Sequence, residues 1–244
     1  MNAHDYPGIL VVFDGIDGAG KTTQVRRLEA ALASVGERVI VSKEPTDGPW
    51  GAKLRASATS GRLPFDEELT AFIEDRQEHL ATKVIPALEA GAVVILDRYF
   101  YSTIAYQGLR AGGISPIEAR IRRNVVEPDV AYLLDVPPTL ATARIQARDG
   151  AANHFEKIED LIQIDRLFRE IAQRDESIVR IDGSVSEQAV FDSLLKHFVE
   201  GPFKRKRCAK DYGCDDPLHC TPRLTSNCTW WERAKALLGR PETI

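Results

Sequence analysis

The first 207 residues contain no cysteine; all four, Cys208, Cys214, Cys220 and Cys228, follow them. A long body without thiols fits a reducing compartment. No apolar stretch is long enough to span a bilayer: the longest runs, such as Ile9 to Phe13 and Ala92 to Leu96, are far too short. Met1 to Pro7 is polar and carries no apolar leader core, so no export signal is expected and a cytoplasmic location is. There is no basic excess either. The chain has 32 Lys and Arg against 36 Asp and Glu, a net charge of −4, so nucleic acid is not expected as the main ligand. Repeats and low-complexity segments are also missing. With 43% hydrophobic and 28% charged residues, a disordered chain is excluded as the starting expectation.

What is present is an alternation of apolar runs and helical patterns. Ile9 to Phe13, Val39 to Val41, Val93 to Leu96, Val130 to Leu134 and Ile178 to Ile181 read as buried strands, being short and rich in β-branched residues. Helical patterns run from Lys21 to about Val35, stopped by Gly36, and from about Asp66 to Glu89, stopped by Gly91. Others lie at about 115–126, 138–148, 156–173 and 184–199. Strands separated by helices pair in parallel through right-handed crossovers. The expected fold is therefore α/β: a three-layer sandwich around a five-stranded parallel sheet. Composition shifts after Gly201-Pro202, so 1–202 reads as the main domain and 203–244 as a short C-terminal appendage. Within the appendage, Lys204 to Arg207 reads as a solvated linker, and Trp230 to Leu238 as a short helix.

Between the first strand and the first helix stands Gly15-Ile16-Asp17-Gly18-Ala19-Gly20-Lys21-Thr22, followed by Thr23. This is the phosphate-loop pattern in the strand–turn–helix context its mechanism needs. The glycines let successive N–H groups turn inward toward phosphate oxygens, and the helix N-terminus adds partial positive charge. Lys21 can reach the β- and γ-phosphates, and the Thr22 hydroxyl can ligate Mg²⁺. Nucleotide phosphate binding follows; what happens next does not, since GTPases, motors and small-molecule kinases share the loop. Further along, Asp97-Arg98 ends the third strand at its carboxyl end, where α/β sheets place ligands, and the Arg98 fork suits a phosphate. Arg76 lies one turn after Phe72 and Arg148 one turn after Arg144, so each pair shares a helix face.

The ordered set of motifs resembles the thymidylate kinase family over about residues 8–200. It comprises Val12 to Gln24, Lys43-Glu44-Pro45, Phe72 to Arg76 with His79, Asp97-Arg98-Tyr99, Ser102 to Gln107, Pro128-Asp129 before Tyr132 to Asp135, and Arg144 with Arg148. The resemblance implies γ-phosphoryl transfer from ATP to dTMP on a P-loop NTPase fold, and a homodimer. By the same resemblance Asp14 accepts from the sugar 3′-hydroxyl, and Phe72 lies on the thymine face. Arg76 and Gln107 address the base edge, and Tyr106 presses on the sugar near C2′. Arg98, with Ser102 and Pro45 beside it, holds the acceptor, and Asp97 joins Thr22 at Mg²⁺. Arg144 stacks on adenine, and Arg148 opens a lid. The catalytic set it implies is Asp14, Lys21, Arg98 and Arg148.

The sequence departs from the family pattern in four places. The phosphate loop has no arginine, and His154 stands where the lid commonly has one, leaving Arg148, His154 or Lys157 to supply the lid charge. Lys43 replaces the usual arginine, and Thr46-Asp47-Gly48 replaces a glycine-rich stretch. These departures leave two other readings: a kinase for another nucleoside monophosphate, or a nucleotide-regulated binding protein acting through its tail. Cys208, Cys214, Cys220 and Cys228, with His219, lack any C-x-x-C pair. A Zn²⁺ site there is one reading, and unligated or disulfide-capable thiols are the other.

Overall fold

In a computed structural model of the chain, the structure describes residues 5–123, 125–149, 158–207 and 229–239. Five strands, β1 (Ile9–Asp14), β2 (Val39–Lys43), β3 (Val93–Asp97), β4 (Val130–Asp135) and β5 (Ile178–Asp182), form one parallel sheet in the order β2-β3-β1-β4-β5. β1 is central: Val11 aligns with Ile95 on one side and Val130 on the other. Every residue from Ile9 to Phe13 is fully buried, as a strand covered on both faces requires. Removing such side chains from water stabilises the sheet by about 1.5–3 kcal/mol each.

The helices are α1 (Lys21–Ser34), α2 (Pro49–Ser60), α3 (Phe65–His79), α4 (Ile85–Glu89), α5 (Phe100–Ala111), α6 (Ser115–Arg122), α7 (Pro138–Asp149), α8 (Ile158–Arg174), α9 (Glu187–Phe198) and α10 (Thr229–Leu238). α1 packs with α9, while α5 packs with α3, α6 and α8. Two of these helices escaped the sequence pattern. α2 buries only Gly51, Leu54 and Ser57, so its apolar stripe is thin. α5 is buried along Phe100 to Ala105 without interruption, so it has no polar face to mark its period. The helix expected over 66–89 is broken by a π-helical turn at Leu80–Val84. Pro86 follows two residues after Val84; its ring and missing N–H disrupt the regular ladder, and the widened turn accommodates them. The helix expected over 115–126 ends at Arg122.

The expected solvated linker at 204–207 is corrected by the structure. Arg207 is buried and donates to Glu37 Oε2 (2.7 Å), Gly91 O (3.1 Å) and Pro7 O (3.4 Å). Lys206 donates to Tyr6 O (3.0 Å) and pairs with Asp129 (3.4 Å). These partners precede β1, β2, β3 and β4, so the basic run ties the amino ends of four strands together. Phe203 is fully buried against Phe198, and Ala234 of α10 is buried beside Leu237 and Leu238. Arg233 of α10 takes the other oxygen of Glu37 at 2.6 Å.

Candidate active site

The carboxyl ends of β1, β2 and β3 meet at a cavity of about 500 Å³. Its walls are the phosphate loop, Lys43 to Pro45, Arg55, Asp97-Arg98, and Arg144, Ile145 and Arg148 of α7. A larger hollow of about 940 Å³ lies at the opposite end of the sheet. Its size does not make it the reactive site. Its charges neutralise one another: Arg122, for example, donates to Glu118 (3.1 Å), Glu127 (3.4 Å) and Asp175 (2.8 Å).

The phosphate loop leaves β1 at Asp14 and enters α1 at Lys21. Its backbone needs glycine at two points in particular. A Cβ on Gly15 would lie 2.8 Å from Leu134 O, and one on Gly18 2.3 Å from Ala141 O, and both residues have positive φ. The loop is thus pressed against β4 and α7, with Ile16 and Ala19 turned into the core. Lys21 folds over it and donates to Gly15 O (3.0 Å) and Ile16 O (2.9 Å). Burial and the nearby Arg98 charge depress its pKa to about 8, against the pull of Asp17, Asp97 and Asp14. Thr22 and Thr23 line the cavity behind it.

The Thr22 hydroxyl donates to Asp97 Oδ2 at 2.5 Å. A hydroxyl and a carboxylate converging beside a phosphate cradle form an oxygen donor set that suits Mg²⁺. Arg98 is the one non-glycine residue with positive φ (72°) among those described. That conformation costs roughly 1–2 kcal/mol, and the Arg98 N–H bond to Phe13 O (2.9 Å) holds it. Its guanidinium donates to Ser102 Oγ (2.8 Å), Gly15 O (3.3 Å) and an oxygen of Asp17, and lies 5.2 Å from the Tyr106 ring centroid. Burial works against the Arg98 charge, but Tyr106, Asp17, Asp14 and Asp97 outweigh it and raise its pKa. Asp17 is held below the usual carboxylate range: burial opposes this, and Arg98 and Lys21 overcome it.

Asp14 is buried at the end of β1. Ser102 donates to its Oδ1 and the Tyr99 N–H to its Oδ2 (3.2 Å). Burial lifts its pKa to about 7, tempered by Ser102, Arg98, Lys21 and Tyr99. A single hydrogen-bonded group therefore joins Asp14, Ser102, Arg98, Asp17 and Tyr106.

Arg76 of α3 is 2% exposed. Its Nε donates to Glu44 Oε2 (2.9 Å) and its Nη2 to Thr103 Oγ1 (2.8 Å), while Nη1 has no partner. Gln107, which the sequence alone would place on a helix surface, is 1% exposed on α5, and its Oε1 also has no partner. Phe72 is half-buried one turn before Arg76. Asp14, Phe72, Arg76, Ser102, Tyr106 and Gln107 are not part of the cavity wall. The first five of these except Phe72 connect to it by hydrogen bonds through Arg98 or Glu44.

Arg144 donates to Gly183 O at 3.0 Å. Arg55 escaped sequence reading because its helix did: it donates to Pro45 O (3.2 Å) and Thr46 O (2.6 Å) from the cavity wall. The departure at Thr46 has a local explanation. Buried Asp75 accepts from its N–H (2.8 Å) and its hydroxyl (2.6 Å), so the loop is pinned by a side chain instead of freed by glycine. Lys43 faces Asp47 at 3.2 Å. His154, Lys157 and the four cysteines lie outside the described residues. Among the described residues no cluster of three or more His, Cys, Asp or Glu could hold a metal, and no helix is long and apolar enough to cross a membrane.

Comparison with known proteins agrees with this geometry. The thymidylate kinase family model matches residues 13–194. The chain is 52% identical over 163 residues to a thymidylate kinase of Xanthomonas oryzae pv. oryzae (strain PXO99A), covering 66% of this chain and 70% of the relative. It is 44% identical over 195 residues to one of Xylella fastidiosa (strain M12), covering 79% and 88%. With a phosphate loop, an Asp97-Arg98 step and a family match over most of its length, the chain belongs to the thymidylate kinase family.

Proposed function

We propose that the protein transfers the γ-phosphoryl group of ATP to dTMP, giving ADP and dTDP. The observation that carries the choice of acceptor is two of the three buried polar atoms without partners among the described residues, Arg76 Nη1 and Gln107 Oε1; the third, Gln24 Oε1, lies on α1. Buried polar groups are nearly always paired, so a donor and an acceptor left open on α3 and α5 call for a ligand. Thymine offers the complementary edge, an O4 acceptor beside an N3–H donor. Cytosine offers the reverse, and Arg76 cannot accept a hydrogen bond.

The chemistry needs little from acid–base groups. A phosphate oxygen of dTMP is already an anionic nucleophile; it attacks the γ-phosphorus as the bond to the ADP oxygen breaks. Positioning and charge neutralisation carry the rate. Arg98 and Arg55 hold the acceptor phosphate, and the loop amides with Lys21 hold the triphosphate. Arg148 faces the transferring group, and Arg144 stacks on adenine. Thr22 and Asp97 would hold Mg²⁺, which supplies charge neutralisation between the β- and γ-phosphates. Asp14 accepts from the 3′-hydroxyl, Phe72 supplies a flat face for the base, and Tyr106 screens C2′. Pro45 and Ser102 complete the acceptor wall. A homodimer in the cytoplasm accompanies this reading.

The test is ADP release across dTMP, dUMP, dCMP, dGMP, UMP and AMP. We expect kcat/KM for dTMP to exceed that for dCMP by about a hundredfold or more. Equal turnover of the panel would sink the assignment.

A further inference from the structure

The open donor on Arg76 is useful only if the guanidinium cannot turn away, and the structure contains a chain of side chains that holds it. Nε of Arg76 donates to Glu44 Oε2 at 2.9 Å, and Nη2 lies 2.9 Å from the same oxygen. Nη2 also donates to Thr103 Oγ1, and the guanidinium carbon sits 5.3 Å from the Tyr99 ring centroid. Only Nη1 is left. Glu44 is held in turn. Its second oxygen, Oε1, meets His79 Nδ1 at 3.1 Å, and His79 Nε2 meets Ser42 Oγ at 2.9 Å. Lys83 donates to Ser42 Oγ at 3.0 Å and to Val41 O at 3.2 Å. Since Lys83 fills an acceptor position of Ser42, the Ser42 proton is free to go to His79 Nε2. Nδ1 then carries the ring proton and donates it to Glu44.

Glu44 and His79 are 6% and 4% exposed, so this polar chain runs through the core between β2 and α3. A core needs no such chain for packing alone: apolar residues of similar volume are often equally stabilising. Its distinct effect is on geometry. A carboxylate held at both oxygens fixes the Arg76 plane, and fixes which N–H is left without a partner. Glu44 also lines the nucleotide cavity, and its N–H bonds to Asp97 O at 3.2 Å. It therefore joins the base-facing arginine to the strand end that carries Asp97 and Arg98.

We propose that Glu44 and His79 are positioning residues that set base specificity: they lock Arg76 as a donor aimed at O4 of a 4-oxopyrimidine and so exclude a 4-aminopyrimidine. The inference rests on the reading of dTMP as acceptor. His79→Leu removes the bond to Glu44, and His79→Asn keeps an amide N–H near the place of Nδ1. Thr103→Val removes the second Arg76 acceptor without altering the charge pair.

Steady-state kinetics of the full chain with dTMP and dCMP, with a melting curve for each variant, is the test. For His79→Leu the expected result is a KM for dTMP raised about tenfold and a reduced dTMP over dCMP ratio of kcat/KM, with kcat and the KM for ATP changed by less than about twofold. His79→Asn restores most of the loss, and Thr103→Val gives a smaller shift in the same direction. A merely structural histidine would lower the melting temperature without changing the dTMP over dCMP ratio. If His79→Leu does not fold, Thr103→Val decides alone. Folded variants with an unchanged dTMP KM and ratio overturn the positioning role. A wild-type chain that does not turn over dTMP overturns the functional reading and this inference with it.

Discussion

The two ends of the parallel sheet use charge in opposite ways. At the amino ends, every named charge meets its counterpart: Glu37 takes Arg207 on one oxygen and Arg233 on the other, and Arg122 meets three carboxylates. At the carboxyl ends the charges are crowded. Lys21 sits under a depressed pKa on backbone carbonyls, Asp14 under a raised one, and Arg98 in a left-handed backbone conformation. Buried polar atoms of Gln24, Arg76 and Gln107 lack partners. One end lowers the energy of the folded chain; the other holds unfavourable arrangements that a pair of nucleotides would relieve. A buried carboxyl and a buried ammonium both pushed toward their neutral forms, beside a strained backbone, are the physical signature of a site.

Substitution can break this contrast. The largest effect is expected for Lys21→Ala and Arg98→Ala. Each should lower kcat by about a thousandfold or more while leaving the melting temperature unchanged or raised, measured by ADP release and thermal denaturation. Either variant, folded and fully active, would remove the basis for the catalytic assignment. At the other end, Glu37→Ala leaves the buried Arg207 without its carboxylate. It should cost about 3 kcal/mol in urea-induced unfolding with kcat at 25 °C unchanged. A kcat that falls with it would mean the two ends are coupled and the contrast is false.

A smaller effect sharpens the contrast through pH. Asp14 has its folded pKa raised from 3.8 to about 7. Its contribution to stability is therefore full below about pH 4 and is lost as pH rises through 7, at no more than about 1.4 kcal/mol per pH unit. Lys21 works in the reverse sense at higher pH, its contribution being lost as pH falls from 10.5 through 8. Asp14→Asn should flatten the stability profile of the nucleotide-free protein between pH 4 and 7. An unaltered slope would assign the titration to another group. The smallest effect is that of Arg144→Ala, where loss of a stacking cation should raise the KM for ATP by about five- to tenfold and leave that for dTMP unchanged.

The sequence made the five strands and the phosphate loop legible because both are local: a β-branched run, or a glycine spacing fixed by backbone sterics. Asp97-Arg98 was legible for the same reason, standing at a strand end. Apart from Arg55, the misses share one cause, partners distant in sequence. Arg55 belongs to a helix whose apolar stripe is too thin to read. Gln107 looks like a surface amide until the fold buries it. The basic run ending at Arg207 has the composition of a linker, and only the fold brings Pro7, Glu37 and Gly91 around it. Thr46 broke the glycine pattern expected of its loop, and Asp75, a helix away, is the reason.

The shared carboxylate of Glu37 has a practical corollary for protein engineering. Arg207 stands immediately before residues 208–228, and Arg233 five positions after them, yet both side chains end on the same carboxylate, one on each oxygen. The chain departs and comes home at one address, so the distance between its two moorings does not depend on how much sequence is threaded between them. A reporter module or an affinity peptide grafted in place of that stretch would inherit fixed attachment points on the face of the molecule remote from the nucleotides.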